Sequence, residues 1–127
     1  MPGDPPLLAV VDDDADVRIA LVRLISSTGF AVESFATGAE FLLSIDRRVP
    51  DCLILDLHMP GMSGFDVQAA LARNPRVRIP VVVITGHDSA ESRSRARDLG
   101  ARGYLPKPVE HEALLAAIEV AMGDRGN

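Results

Sequence analysis

Four apolar runs in this 127-residue chain each lead into polar residues suited to phosphate chemistry. Leu7 to Val11 runs into Asp12, Asp13 and Asp14, Cys52 to Leu55 into Asp56, Val81 to Ile84 into Thr85, and Tyr104-Leu105-Pro106 into Lys107. Carboxylates about 4 Å apart repel by roughly 1 kcal/mol in water and roughly 4 kcal/mol at an effective dielectric of 20. Such a cluster persists where something positive binds, and an all-oxygen donor set favours Mg²⁺ over Zn²⁺. Asp13 and Asp56 read as direct ligands and Asp12 as the holder of a metal-bound water. The Asp56 carboxylate is then a nucleophile toward phosphorus, of the kind found in aspartyl-phosphate chemistry. Lys107 would neutralise one phosphoryl oxygen and the Thr85 hydroxyl would donate to another.

These side chains are far apart in sequence, so the fold must gather them. Unbroken Val/Ile/Leu runs are what parallel strands covered on both faces look like. In open α/β sheets, ligands sit beyond the carboxyl ends of the strands. Strand and helix patterns alternate five times, which predicts a doubly wound α/β domain with a five-stranded parallel sheet and helices on both faces. Asp14 is placed to cap a helix over about 15–27, closed by Gly29. A second strand follows at 30–35, and Thr37-Gly38-Ala39-Glu40 reads as a capping box opening a helix with Phe41, Leu42 and Ile45. Met59 to Gly64 is a loop by its Pro and Gly content. Further helices are expected over about 65–73, 89–99 and 110–122. Residues 7–123 make one domain, 1–6 a disordered lead-in and 124–127 a frayed end.

Composition narrows the function. Hydrophobic residues at 47% and charged residues at 24% suit a globular protein, and the net charge of −5 argues against direct nucleic-acid binding. No apolar run reaches the roughly 18 residues of a membrane span, and residues 1–6 lack the basic and apolar regions of a secretory signal. The single cysteine, Cys52, falls in a predicted buried strand, where it reads as a small hydrophobe rather than a redox centre. A cytoplasmic location fits.

The motifs taken in order resemble the receiver domain of bacterial two-component response regulators, over about Leu7 to Met122. The resemblance is carried by the acidic pair Asp12-Asp13, by Asp56 followed by Met59-Pro60-Gly61-Met62-Ser63-Gly64, and by Thr85-Gly86, Gly103-Tyr104 and Lys107-Pro108. Ile84-Thr85-Gly86-His87 looks most like receivers of nitrogen-fixation-type regulators. The resemblance implies a flavodoxin-like sheet of order 2-1-3-4-5 and a cis Lys107-Pro108 bond. It also implies that Asp56 accepts a phosphoryl group from a sensor histidine kinase or phosphotransfer protein, and that the domain assists its own phosphorylation and dephosphorylation. Mg²⁺, or Mn²⁺ in its place, would be held by Asp13, Asp56 and the backbone carbonyl of His58, with Asp12 acting through water. Thr85 and Tyr104 would be the switch pair, biasing a face of the fourth helix, fifth strand and fifth helix. Output would then pass to a downstream protein or effector domain, or to a homodimer formed on phosphorylation.

Several residues carry two readings. His58 and His87, each two positions beyond a site residue, are either solvated loop residues or tuners of the acyl-phosphate lifetime. The fourth helix offers only Ala90, Ala96 and Leu99 for burial, so it should pack loosely. Its Arg93 and Arg97 are either a solvated face or a dock for an acidic partner. Asp14 reads as a cap rather than a ligand, Tyr104 as a switch rather than a core-edge ring, and Met59 and Met62 as loop packing. A haloacid-dehalogenase-type phosphatase would want a second carboxylate two residues after the nucleophile, where Asp56-Leu57-His58 offers none. A binding module that never becomes phosphorylated would not need all five polar residues.

Overall fold

Ten elements alternate strictly in a computed structural model that describes residues 4–123. The expectations for Met1 to Gly3 and for 124–127 lie outside those residues. Strands β1 (Leu7–Val11), β2 (Ala31–Phe35), β3 (Cys52–Asp56), β4 (Val81–Thr85) and β5 (Gly103–Pro106) form one parallel sheet in the order β2-β1-β3-β4-β5. Helices α1 (Ala15–Ser26), α2 (Gly38–Ser44), α3 (Gly64–Ala72), α4 (Ala90–Asp98) and α5 (His111–Gly123) connect them. This is the expected doubly wound, flavodoxin-like order. Just ahead of the sheet, the Pro6 carbonyl accepts from the Ala31 N–H at 3.0 Å.

The side-chain period of two divides the central strands between two cores. Ala9, Val11, Leu53, Leu55 and Val83 pack with Phe41, Val67 and Ala96, beneath α2, α3 and α4. Leu8, Val10, Ile54, Val82 and Ile84 pack with Leu21, Ile25, Leu114 and Ile118, beneath α1 and α5. Every residue of β1, β3 and β4 is buried, whereas no residue of the edge strands β2 and β5 is fully buried.

The helix starts follow local chemistry, with one correction. Asp14 caps α1 by accepting from the N–H groups of Asp16 and Val17, and Gly29 supplies the positive φ of 97° that turns the chain into β2. At Thr37 only half of the expected capping box forms. The Thr37 hydroxyl accepts from the Glu40 N–H at 3.1 Å, but the Glu40 carboxylate meets that same hydroxyl. The complete box lies at the head of α3, where Ser63 and Asp66 each accept the other's backbone N–H. A carboxylate with one carbon fewer than Glu reaches back there, a variant that the Ser/Thr-x-x-Glu pattern does not flag.

Gly64 opens α3 directly against the end of β3. A Cβ at this position would collide with the Asp56 carbonyl oxygen and come within 2.8 Å of Leu57 Cα. Both are backbone atoms and cannot step aside, so Gly64→Ala should cost about 2 kcal/mol or more. The expected outcome is a lower urea midpoint at unchanged m-value.

Helix α4 buries little: Ala96 is fully buried, Leu99 is half-buried against the core, and Ala90 is exposed rather than buried. Polar contacts add to that burial. The Gln68 amide donates to the Ala96 carbonyl at 2.9 Å, and the Arg95 guanidinium lies 4.1 Å from the centre of the Phe65 ring.

Candidate functional site

The sheet register brings the distant side chains together. Val11 lies opposite Leu55, so Asp12 and Asp56 leave adjacent strands at one level; Thr85 lies opposite Pro106, one residue before Lys107. β1 stands where the strand order reverses, the place at which an α/β sheet opens a crevice.

Asp12 and Asp56 are 0% and 3% exposed. The Lys107 ammonium donates to Asp12 Oδ2 at 2.8 Å and stands 3.4 Å from Asp56 Oδ1. The Asp14 N–H donates to the other Asp12 carboxylate oxygen at 2.9 Å, and the Arg18 guanidinium to the Asp12 carbonyl at 2.7 Å. Asp13 is exposed, yet one oxygen from each of Asp12, Asp13 and Asp56 lies within 4.8 Å of the others. Three carboxylates against one ammonium leave a net charge of −2 when all are ionised, and the donors are all oxygen. A hard divalent cation fits that charge and that donor set.

The ionisation of Asp56 reflects its surroundings. Burial, followed by repulsion from Asp12, raises its pKa from 3.8 to about 6, even though Lys107 and the His58 N–H favour the charged form. For Lys107, burial opposes the charge, but the Asp12 hydrogen bond and the two carboxylates outweigh it and hold the pKa above 10.5.

Thr85 is fully buried, and its hydroxyl accepts from the His87 N–H at 3.0 Å. His58 and His87, from different loops, are exposed and meet with ring centres 4.6 Å apart at 67°. Tyr104 packs at the edge of the core, and its hydroxyl is sealed from solvent without a well-formed hydrogen bond among the described residues. Burial, then the nearby Asp88 carboxylate, raises its pKa above 10.0. The Lys107-Pro108 bond is cis, as the resemblance implies. Met59 is buried and Met62 half-buried, both in or against the core under α2 to α4.

The structure adds residues that the sequence did not single out. Arg18 reaches back six residues to a carbonyl in the loop before its helix and Gln68 crosses to a carbonyl on another helix, neither at a spacing that a local pattern marks. Asp88 pairs with Arg93 at 2.9 Å; the five-residue spacing across a helix start is not a familiar pairing period.

A family model described as the response regulator receiver domain matches residues 8–119. The chain is 39% identical over 115 residues to Nodulation protein W of Bradyrhizobium diazoefficiens, covering 91% of this chain and 50% of that protein. It is likewise 39% identical over 116 residues to the response regulator protein TodT of Pseudomonas putida, covering 91% and 51%. The chain therefore spans about half the length of these curated relatives. Among solved structures, that of FixJ-N superposes with a TM-score of 0.86 at 32% identity, covering 94% of this chain and 95% of the other.

Proposed function

The chain belongs to the response regulator receiver domain family of two-component signal transduction, and we propose that Asp56 is its phosphoryl acceptor. The observation that supports this most directly is the Lys107 ammonium set between two buried carboxylates at the sheet's crevice. Such an arrangement is costly for folding alone and suited to an incoming charged phosphoryl group.

In this reading an Asp56 oxygen attacks the phosphorus of a kinase or phosphotransfer-protein phosphohistidine. The P–N bond breaks as the P–O bond forms, and the freed imidazole nitrogen takes up a proton from water. Mg²⁺, or Mn²⁺ in its place, would be held by Asp13, Asp56 and the His58 backbone carbonyl, with Asp12 acting through water. Bound there, it would supply charge neutralisation at the phosphoryl oxygens. Lys107 would turn from Asp12 toward a phosphoryl oxygen, and Thr85 would donate its hydroxyl proton to another. Tyr104 would then shift with Thr85 and alter the face formed by α4, β5 and α5. That face would signal to a downstream protein or effector domain, or to a second phosphorylated copy. His58 and His87 would screen the acyl phosphate from water, so the domain would tune its own dephosphorylation. A cytoplasmic setting suits a kinase-dependent step, and among the described residues no helix is long and apolar enough to cross a membrane.

Intact-mass spectrometry after incubation with Mg²⁺ and acetyl phosphate is the test. One phosphate per chain, absent with a chelator and removed by hydroxylamine as an acyl phosphate should be, is the expected result. An unmodified mass at saturating donor and Mg²⁺ would overturn the proposal.

A further inference from the structure

The first turn of helix α4 carries an arginine, Arg93, that does more than face solvent. The Arg93 guanidinium donates to both oxygens of Asp88, at 2.9 and 3.0 Å, and its carbon lies 5.4 Å from the centre of the Tyr104 ring. Asp88 follows Thr85 by three residues in the β4–α4 loop, and its carboxylate also approaches the Tyr104 hydroxyl. Arg93 thus joins a loop carboxylate and a β5 ring through one side chain. Arg93, Arg97 and Tyr104 also line a shallow surface hollow of about 250 Å³, so the ring borders open space. One guanidinium nitrogen, Nη2, makes both bonds to Asp88, which leaves the planar face of the group over the ring, a contact that a compact, strongly hydrated ammonium makes less well.

We propose that Arg93 is a positioning residue for Tyr104, anchored by Asp88 and tying the start of α4 to the end of β5. Its regulatory consequence rests on the reading of Tyr104 as the switch aromatic. Any shift of the ring toward the core must break the cation–π contact, or drag Arg93 and the first turn of α4 with it. The clamp therefore favours the resting arrangement, and its removal should favour the arrangement taken on phosphorylation.

Tyr104 is the chain's one tyrosine, and there is no tryptophan, so tyrosine emission reports this ring alone. Without phosphodonor, Arg93→Ala should at least double the acrylamide quenching of that emission while leaving the far-UV circular dichroism unchanged. Arg93→Lys, which keeps the charge but not the planar face over the ring, should restore less than half of the protection. Asp88→Asn should reproduce most of the effect, and the double variant should add little to either single one, as residues acting as a unit do. With acetyl phosphate and Mg²⁺, Arg93→Ala should be phosphorylated about fivefold faster, the equivalent of about 1 kcal/mol in favour of the switched arrangement.

Unchanged quenching in Arg93→Ala, full rescue by Arg93→Lys, or additive effects of the two substitutions would overturn the proposal. Because the quenching needs no phosphodonor, the clamp stands or falls independently of Asp56. Loss of protection in a protein that never gains phosphate would sink the Asp56 assignment and leave the clamp intact. A phosphorylation rate unchanged in Arg93→Ala, in a protein that does gain phosphate, would overturn the clamp's regulatory role.

Discussion

Asp56→Asn should abolish the phosphate adduct and at the same time stabilise the cation-free protein at neutral pH. The loss of the adduct follows because an amide oxygen is a poor nucleophile and Asn cannot form the acyl phosphate. The stabilisation follows from burial. The Asp56 carboxyl titrates at about 6 in the folded protein against an ordinary 3.8, so between those pH values the folded state binds more protons than the unfolded one. Stability therefore falls as pH rises through that window, and the full cost is present above about pH 7. A shift of this size corresponds to a cost on the order of 2–3 kcal/mol. Asn carries no charge and avoids the cost. In chelator at pH 7.5 the variant should melt roughly 5–10 °C above the parent, and at pH 4 the advantage should vanish. Saturating Mg²⁺ should shrink the gap by stabilising the parent more than the variant. A variant that melts below the parent at pH 7.5 in chelator would show that burial does not dominate at this carboxylate.

Lys107→Ala should have an even larger combined effect. The ammonium is the shared partner of two buried carboxylates, and removing one side of such an ion pair leaves charge uncompensated, at roughly 3–5 kcal/mol. The lysine side chain keeps 23% of its exposure, so solvent screening places the expected loss at or below the low end, about 2–3 kcal/mol. The loss should be largest near neutral pH and smaller near pH 4, where Asp56 is protonated. Phosphorylation by acetyl phosphate should slow roughly 10²- to 10³-fold, the scale of losing one preorganised charge aimed at developing negative charge. Mg²⁺ affinity should nevertheless rise, because the site's formal charge becomes −3. Opposite changes in metal binding and phosphorylation would separate the chemical role of Lys107 from its structural one. If both fell together, the lysine would be acting chiefly as a scaffold.

Much of this site was legible in the sequence because each functional residue directly follows an apolar run. A buried strand must be apolar, and the residue that ends it must emerge at the rim, so Asp12, Asp56, Thr85 and Lys107 could be placed without knowing the strand order. The parallel sheet was legible for the same reason, as were the Asp14 cap and the Gly29 turn. Less legible was anything that depends on a contact between elements. The complete capping box fell at Ser63 rather than Thr37 because side-chain reach and backbone angle decide which carboxylate returns. Ala90 pointed outward because the helix's rotation about its axis is set by its neighbours.

Local periodicity and burial already specify the alternation of elements, the hydrophobic runs of β1, β3 and β4 and the polar residue that closes each of them. The closed fold adds the Lys107 ammonium bridging Asp12 and Asp56, and the contacts of Gln68, Arg95 and Arg93 that hold α4 beside its one fully buried residue, Ala96. It likewise decided that Tyr104 lies beneath Arg93. Those facts depend on register and on side-chain directions, over as many as 95 residues of chain for Lys107 and Asp12, and no local pattern encodes distances between elements that meet only when the sheet closes.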